Sequence, residues 1–477
     1  MTARADRDQM KAHLERALVR CLGRPVHRVE FDRLTSGASQ ETYRIVVETD
    51  DGERTLALRR AAGGVWTGDA VEPGRAGIQT EAELMTQAAR AGVPEPEVVG
   101  LLEESDGLGN GFFMEWLEGE TLGARIVKSE ALAEVRPRLA RQCGEILARI
   151  HSIDLEGSGL GARLTTVTPG QYVEQTWAAY RMMGTPQPMI DFTARWLMEN
   201  LPEDPRLTLV HNDFRNGNVM VSPQGVVAVL DWELAHVGDP VRDIGWICTN
   251  SWRFGRRDQP VGGFGQLKDL LAGYESVSGI QVDPEHIRFW EVFGSFWWSI
   301  GCLGMAQQFR NGPDRSIERA TIGRRSSECQ VDCVNLLIPG PVELVEADSD
   351  SPDLDLPRVD ELLHGVRDLL REDLMTSVGG RLSFMSRVSA NAIDIALREL
   401  EVGREQKILE RDRLIDLVGE EGDLESLRWK LVEGLRAGRM PLDRPELAAH
   451  LRTTVVNQVA IDQPRYSGFL AAVGSPE

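Results

Sequence analysis

Apolar positions follow two rhythms along this 477-residue chain. Near the N-terminus, and again between residues 207 and 230, they come as short runs with the period of β-strands. Arg44-Ile45-Val46-Val47-Glu48 and Thr55-Leu56-Ala57-Leu58-Arg59-Arg60 flank Thr49-Asp50-Asp51-Gly52, whose Asp-Gly predicts a hairpin, so residues 28–60 read as a small sheet. Leu207-Thr208-Leu209-Val210, Val219-Met220-Val221 and Val226 to Leu230 read as short buried strands, the last two joined by the turn Ser222-Pro223-Gln224-Gly225. Elsewhere the period is helical. A helix is predicted from Ile78 to Ala91, stopped by Gly92-Val93-Pro94, and residues 120–337 read as mainly helical outside the hairpin. Val292 to Phe309 carries no charge, but Gly294, Gly301, Gly304, Ser295, Ser299, Gln307 and Gln308 leave it too weakly apolar for a membrane span. It is expected to be a buried helix that lines a substrate pocket with Trp297 or Trp298.

Beyond Ile338-Pro339-Gly340-Pro341 the pattern changes. Glu343, Glu346, Asp348, Asp350, Asp353 and Asp355 fall in a stretch with hardly any apolar run, the composition of a solvated linker. From Pro357 the helical rhythm returns. Leu382, Met385, Ala392, Ile393, Ala396, Leu397 and Leu400 form one stripe, and Leu362 to Leu374, Ile408 to Val418 and Leu424 to Leu435 add amphipathic pieces. Asp443-Arg444-Pro445-Glu446 starts a further helix running to about Ile461. This is the pattern of a bundle with its own small core. It shows no nucleophile, metal cluster or phosphate loop, which favours a packing or dimerisation module.

Composition narrows the class only a little. A chain of 477 residues exceeds one core and predicts two or three domains, and 42% apolar with 27% charged residues is ordinary for globular protein. The net charge of −21 argues against nucleic acid and against an anionic membrane surface. Six scattered cysteines, among them Cys329-x3-Cys333 without a second ligand pair, read as reduced core thiols. Met1 to Lys11 is charged and lacks the apolar segment of a signal peptide, so a cytoplasmic location is expected.

The chemistry concentrates in Val210-His211-Asn212-Asp213-Phe214-Arg215-Asn216-Gly217-Asn218-Val219, followed by Val229-Leu230-Asp231-Trp232-Glu233. An Asp between apolar strands, an Asn five residues on and a second Asp beyond a hairpin are the parts that kinase-type phosphoryl transfer needs, in that order. One carboxylate orients the attacking hydroxyl, while an amide oxygen and a second carboxylate hold magnesium on the phosphates.

His211-x-Asp213-x4-Asn218, Asp231-x-Glu233 and Gly238-Asp239-Pro240-x-x-Asp243 together resemble the aminoglycoside phosphotransferase family of small-molecule kinases. The resemblance implies an α+β, bilobal protein-kinase-like fold, here followed by a C-terminal α-helical bundle domain. The expected parts are a nucleotide-binding lobe over 1–118, a catalytic and substrate lobe over 119–340, an acidic linker over 341–356 and a helical domain over 357–477. It also implies ATP and Mg²⁺ as cofactors, Asp213 as the catalytic carboxylate, Asn218 and Asp231 as metal ligands, and His211 and Asp243 as supports of the catalytic loop. Asn212 is a departure, since most members carry Gly there. Arg59 stands where protein kinases carry a strand Lys; a branch of the family acting in acyl-CoA metabolism shows the same Leu-Arg signature, and a guanidinium can grip phosphate through two parallel hydrogen bonds. Of Glu81 and Glu83, Glu81 fits the bracing helix Glu better by its distance from Val93-Pro94. Leu34 to Thr42 resembles the loop over the nucleotide, with Ser36, Gly37 and Ala38 close to phosphate. Phe112 to Leu117 resembles the hinge between lobes, with Glu115, Trp116 and Leu117 at the adenine, and Leu147 to Asp154 resembles a structural helix end containing His151.

The substrate is less determined. Arg310 to Arg325 holds five arginines in an acidic chain, which suits either an anionic ligand such as coenzyme A or a solvated helix face paired with Glu318. Arg215, Arg253, Arg315, Arg324 and Arg325 are the candidates for substrate binding. Arg387-Val388-x-Ala390-Asn391-Ala392 and Asn457-Gln458-x6-Arg465-Tyr466 resemble an accessory subunit of bacterial kinases acting on 4-hydroxyacyl-CoA. These features lead us to expect a hydroxyl-directed kinase acting on a small molecule, most simply a 4-hydroxyacyl-CoA thioester. Its C-terminal domain would pack on its own kinase domain, with a homodimer left open and neither nucleic acid nor membrane as partner. An antibiotic kinase on the same fold (aminoglycoside or macrolide) and a non-catalytic nucleotide-binding scaffold are the alternatives.

Overall fold

The structure, a computed structural model, describes residues 3–34, 40–66, 74–312, 314–346 and 357–474. They form two compact units. The first comprises Met1–Thr168, Asp204–Cys248 and Trp252–Ile287, and the second Pro169–Glu203, Thr249–Ser251 and Arg288–Glu477.

The first unit opens with the helix Ala3–Leu22 and a five-stranded sheet. Its strands are β1 (Val26–Arg33), β2 (Gln40–Thr49), β3 (Gly52–Ala61), β4 (Val98–Leu101) and β5 (Gly111–Glu115), in the order β1-β2-β3-β5-β4 with every neighbouring pair antiparallel. The expected hairpin is present, with Thr49 paired to Gly52. Alternation decides which side of β2 is covered: Tyr43, Ile45 and Val47 point inward with Leu56 and Leu58 of β3, where Leu14 and Leu18 of the first helix meet them. Arg59 directly follows the last of these inward leucines. The helix predicted from Ile78 runs Ile78–Arg90 and buries Glu81 along with Ala82, Leu84, Met85 and Ala88.

The two motif-bearing segments lie between strands, as their apolar flanks require. β6 (Thr208–Val210) pairs with β9 (His236–Gly238), and β7 (Val219–Ser222) with β8 (Gly225–Val229). The loop 211–218 leaves β6 and enters β7, while 230–235 leaves β8 and enters β9. Beneath them the helices Arg136–His151 and Leu267–Ser278 touch backbone to backbone. A Cβ on Gly144 would lie 1.9 Å from the Leu270 carbonyl oxygen, and one on Gly273 would lie 2.1 Å from that of Arg141. This close approach brings His151 to Tyr274, whose hydroxyl is 3.1 Å from its Nδ1.

The second unit is helical, with a core drawn from distant parts of the chain. Met189 and Phe192 from the helix Pro188–Glu199, and Val331, Cys333 and Val334 from Ser326–Leu337, share one buried cluster with Leu414, Leu431, Leu447, Val456 and Phe469. Fully buried Asp191 accepts from Trp177 Nε1 at 2.8 Å and Arg436 Nε at 2.7 Å, and a Tyr180 hydroxyl contact at 3.2 Å completes its shell. The pieces expected at 382–400 and 408–418 are one helix, Gly380–Val418, because the apolar rhythm continues through Gly403 and nothing there breaks the backbone. The uncharged stretch 292–309 lies within the helix Pro284–Asn311, which buries Val292, Phe293, Phe296, Ile300 and Cys302. Among the described residues no helix is long and apolar enough to cross a membrane. All six cysteines are free thiols.

Replacing Gly144 by Ala is expected to separate the two crossing helices and to cost stability at or above the upper end of the ~1–3 kcal/mol typical of overpacking. Equilibrium urea unfolding of the variant against the parent checks this; a midpoint within error of the parent would contradict the backbone contact.

Candidate active site

The loop after β6 is built on one carboxylate. Asp243, fully buried at the start of the helix Val241–Cys248, accepts from the backbone N–H groups of His211 at 2.8 Å and Asn212 at 2.6 Å. His151 Nε2 lies 3.1 Å from the same carboxylate. Burial by itself would raise Asp243, but the hydrogen bond from His151 and the backbone donor of His211 outweigh it and hold the group below the usual carboxylate range. His211 is neutral by the same logic, burial lowering it. Its Nδ1 accepts from the Asp213 backbone N–H at 3.2 Å, so its Nε2 carries the proton toward the Leu230 carbonyl 3.1 Å away. Asn212 has φ of 66°. This explains the departure from Gly, because Asn is the side chain that best tolerates the left-handed region.

Asp213 follows from this clamp. Its Oδ1 accepts from Arg215 Nε at 2.9 Å and from the indole N–H of buried Trp246 at 2.8 Å. Its Oδ2 accepts from Asn218 Nδ2 at 2.6 Å, and the same amide also donates to the Asp213 carbonyl oxygen at 2.9 Å. A carboxylate offers about four acceptor positions. Three are occupied by described residues, and the fourth, on Oδ2, is left for an incoming donor. Arg215 is held in turn by the Asn216 carbonyl oxygen at 2.8 Å and by the Trp252 ring, 4.3 Å from its guanidinium carbon. Trp246 and Trp252 were not singled out as site residues from sequence. Trp246 stands three residues after Asp243, nearly one helical turn, and that spacing was the available signal.

Asn218 and Asp231 meet through the β7–β8 pairing. Val219 is opposite Val229, and the Leu230 N–H donates to the Asn218 carbonyl oxygen at 2.7 Å, so Asp231 comes next to the amide. Asp231 is left-handed, with φ of 71° and ψ of 65°, a strained conformation for Asp that turns its side chain out of the strand line. Since Asn218 spends its N–H₂ on Asp213, its oxygen is the atom that could bind a metal. One amide oxygen and one carboxylate, with phosphate oxygens and water completing the shell, is the donor set a magnesium ion takes.

Arg59 bridges two carboxylates. Its Nε is 3.0 Å from Glu81 and its Nη2 is 2.5 Å from Asp231. Gln40 Nε2 donates to Glu81 at 2.7 Å, whereas Glu83 engages Gln87 on its own helix. Burial works against the charge on Arg59, but the two carboxylates raise it and it stays a cation. One guanidinium shared between two anions, with Asp231 the closer, leaves Glu81 under-compensated, and burial pushes it up to about 7.

The remaining candidates are placed as follows. Glu115, at the end of β5, donates its N–H to Glu97 O at 2.8 Å; Trp116 Nε1 donates to Glu118 at 2.7 Å; Leu117 follows, half-buried. Ser36, Gly37 and Ala38 lie outside the described residues. Arg253 donates twice to the Cys248 carbonyl oxygen, at 3.0 and 2.7 Å. Arg315 is exposed. Arg324 spends its charge on Glu399 and Asp462, each at 2.7 Å, and Arg325 pairs with Glu328 at 3.1 Å. The last two therefore serve as internal ties of the helical unit, and only their excess over the acidic average made them look like an anion site.

A five-stranded sheet with an Arg–Glu pair, followed by a clamped Asp loop and a second Asp after a hairpin, is the arrangement of a kinase-like phosphotransferase. The chain belongs to the phosphotransferase enzyme family, whose model matches residues 30–280, just over half of its length. A separate model, described as a domain of unknown function, DUF6285, matches residues 376–466. The mouse (Mus musculus) protein named acyl-CoA dehydrogenase family member 10 is 34% identical over 236 residues, 47% of this chain and 20% of that one. The chicken (Gallus gallus) acyl-CoA dehydrogenase family member 11 is 30% identical over 249 residues, 49% of this chain and 30% of that one. This chain thus matches well under half the length of either relative. Among solved structures, a Ralstonia eutropha protein described as a "putative aminoglycoside phosphotransferase" superposes with a TM-score of 0.54 and 22% identity over 69% of this chain and 97% of that one, a likeness of fold.

Because the folded state holds Glu81 near 7 and the unfolded chain releases its proton near 4.5, the folded state carries the extra proton between those values. Stability from this group is therefore complete below about pH 4.5 and is lost as pH rises toward 7. The stability difference between the parent and Glu81→Gln, measured by denaturant unfolding from pH 5 to 8, should shift against the parent with rising pH. A pH-independent difference would show that Glu81 is ionised throughout.

Proposed function

We propose that this chain uses ATP and Mg²⁺ to phosphorylate the hydroxyl of a 4-hydroxyacyl-CoA or a closely related hydroxyacyl thioester. The observation that carries the kinase reading is the single acceptor position left on Asp213 Oδ2, beside a metal-type donor pair on the adjoining hairpin. The acyl-CoA part is supported by the names of the matched relatives, both acyl-CoA dehydrogenase family members, and by the Leu58-Arg59 signature.

In this reading Asp213 Oδ2 accepts the substrate hydroxyl proton and aims its oxygen at the γ-phosphorus. Asn218, through its amide oxygen, and Asp231 hold the metal, which when bound supplies charge neutralisation on the phosphates. Arg59, braced by Glu81, would grip the α- and β-phosphates, and Glu115 to Leu117 would receive the adenine. Arg215 neutralises one oxygen of Asp213 and stands beside the path of the transferred group. Trp246 acts as a positioning residue, since its indole N–H donates to the Asp213 carboxylate and holds it in place. Arg253 and Arg315 remain candidates for the anionic end of the substrate. The C-terminal helices take the part of a built-in accessory subunit. Its supporting observation is the core they share with the helices Pro188–Glu199 and Ser326–Leu337. Phosphorylation turns a poor leaving group into a good one, which prepares the acyl chain for elimination or rearrangement by another enzyme.

Incubation with Mg·ATP and a panel of 3-, 4- and 5-hydroxyacyl-CoAs, free hydroxy acids and aminoglycosides, read by mass spectrometry, should add one phosphate to a 4-hydroxyacyl-CoA. A phosphorylated aminoglycoside with all thioesters untouched would replace this substrate by an antibiotic. Asp213→Asn should lower turnover by roughly 10³-fold or more while ATP binding, read by calorimetry, stays within about twofold. Trp246→Phe keeps the ring but deletes the N–H. It should lower kcat by roughly tenfold with KM for ATP unchanged, since Asp213 loses one of the donors that orient it. An unchanged kcat would reduce Trp246 to a packing role.

A further inference from the structure

The helix Val359–Asp368 and the π-helical turn Leu369–Leu374 that continues it are turned inside out. Their cations face the chain: Arg367 lies 3.6 Å and Arg371 2.8 Å from Asp394 of the helix Gly380–Val418, and Arg371 also donates to Asn391 at 3.3 Å. Leu363 and Leu370 are half-buried, whereas the other apolar positions face away. Val359, Leu362, Val366 and Leu369, spaced three and four apart, are 56%, 57%, 50% and 56% exposed. Leu374, Leu382 and Phe384, around the turn into the next helix, are 43%, 66% and 40% exposed. No described residue of the chain covers this stripe, and none of its members belongs to the core of the helical unit.

We propose that the stripe is the contact surface for a second copy of this chain, joined about a two-fold axis. The spacing is that of a heptad seam, with β-branched Val at one seam position and Leu at the other, the combination that favours two strands. Two heptads are too few to pair alone, but a two-fold contact presents the stripe, the turn and the start of the next helix to their own copies at once. The exposed surface of these seven residues amounts to roughly 600 Å² per copy, close to the ~800 Å² per partner that a stable pair buries. A membrane surface fits less well: Asp360, Glu361, Asp368, Glu372 and Asp373 edge the stripe, and the chain carries a net charge of −21. The inference does not depend on the substrate or on the kinase reading.

Sedimentation velocity of the full chain at micromolar concentration should give twice the 52.9 kDa chain mass. Leu362→Glu with Leu369→Glu, both exposed and outside the core, should raise the dimer dissociation constant by roughly tenfold or more while the far-ultraviolet dichroism stays unchanged. In the unsubstituted protein, amide hydrogen exchange over 359–371 should slow as concentration rises; this measurement decides the matter if the double variant loses helicity. A monomer at every concentration, or a dimer whose 359–371 amides ignore concentration, overturns the assignment. Flotation of monomeric chain with phosphatidylcholine vesicles also overturns it, in favour of a lipid surface.

Discussion

Everything in the active site hangs from the Asp243 carboxylate. It is buried where an isolated charge would be untenable, and it survives there because two backbone N–H groups and an imidazole compensate it. The price of that burial is rigidity. The backbone at 211–212 has nowhere to move, so the left-handed Asn212 and the Asp213 that follows are fixed before any ligand arrives. Tyr274 fixes His151 from behind, and the glycine-mediated crossing at Gly144 and Gly273 lets Tyr274 come close enough to do so. Catalytic precision here is thus inherited from a helix crossing some distance from the chemistry.

The second constraint is electrostatic. One guanidinium, that of Arg59, lies between Glu81 and Asp231, and both contacts are short. Arg59 compensates Asp231 more closely than Glu81, so Glu81 is the less compensated of the two carboxylates. The left-handed backbone of Asp231 turns the chain out of the strand line at this point. A Lys at position 59 could pair with either carboxylate, but its compact charge lacks the planar fork that reaches both.

The helical unit is held by a joint core. Its C-terminal helices supply most of that core, which also takes in the helices Pro188–Glu199 and Ser326–Leu337. Buried ties reinforce the sharing, with Asp191 bound to Arg436, Arg324 to Asp462, and Tyr466 to Asp332. Each is a charge or hydroxyl that would be costly to bury alone.

The sequence by itself determined the strands, the hairpins and the class of chemistry. Strand periodicity is local, the spacing from His211 to Asn218 lies within one loop, and Asp231 follows one hairpin later. It also singled out Glu81 over Glu83 by position on the helix, and the structure turns Glu81 toward Arg59. What it left open depends on residues far apart in the chain. Trp246 reaches Asp213 because its helix folds under the loop; its spacing from Asp243 is a local signal, but which carboxylate the indole meets is decided by tertiary packing. Arg324 and Arg325 looked like ligand-binding charge because composition counts charges without their partners, and Glu399 and Asp462 arrive only through tertiary packing. Likewise an amphipathic helix predicts an apolar stripe, but only the position of Asp394 decides that the stripe at Val359 to Leu369 faces outward. Short-range patterns specify elements and motifs, whereas the pairing of charges and the direction in which a face points are settled by which distant segments pack together.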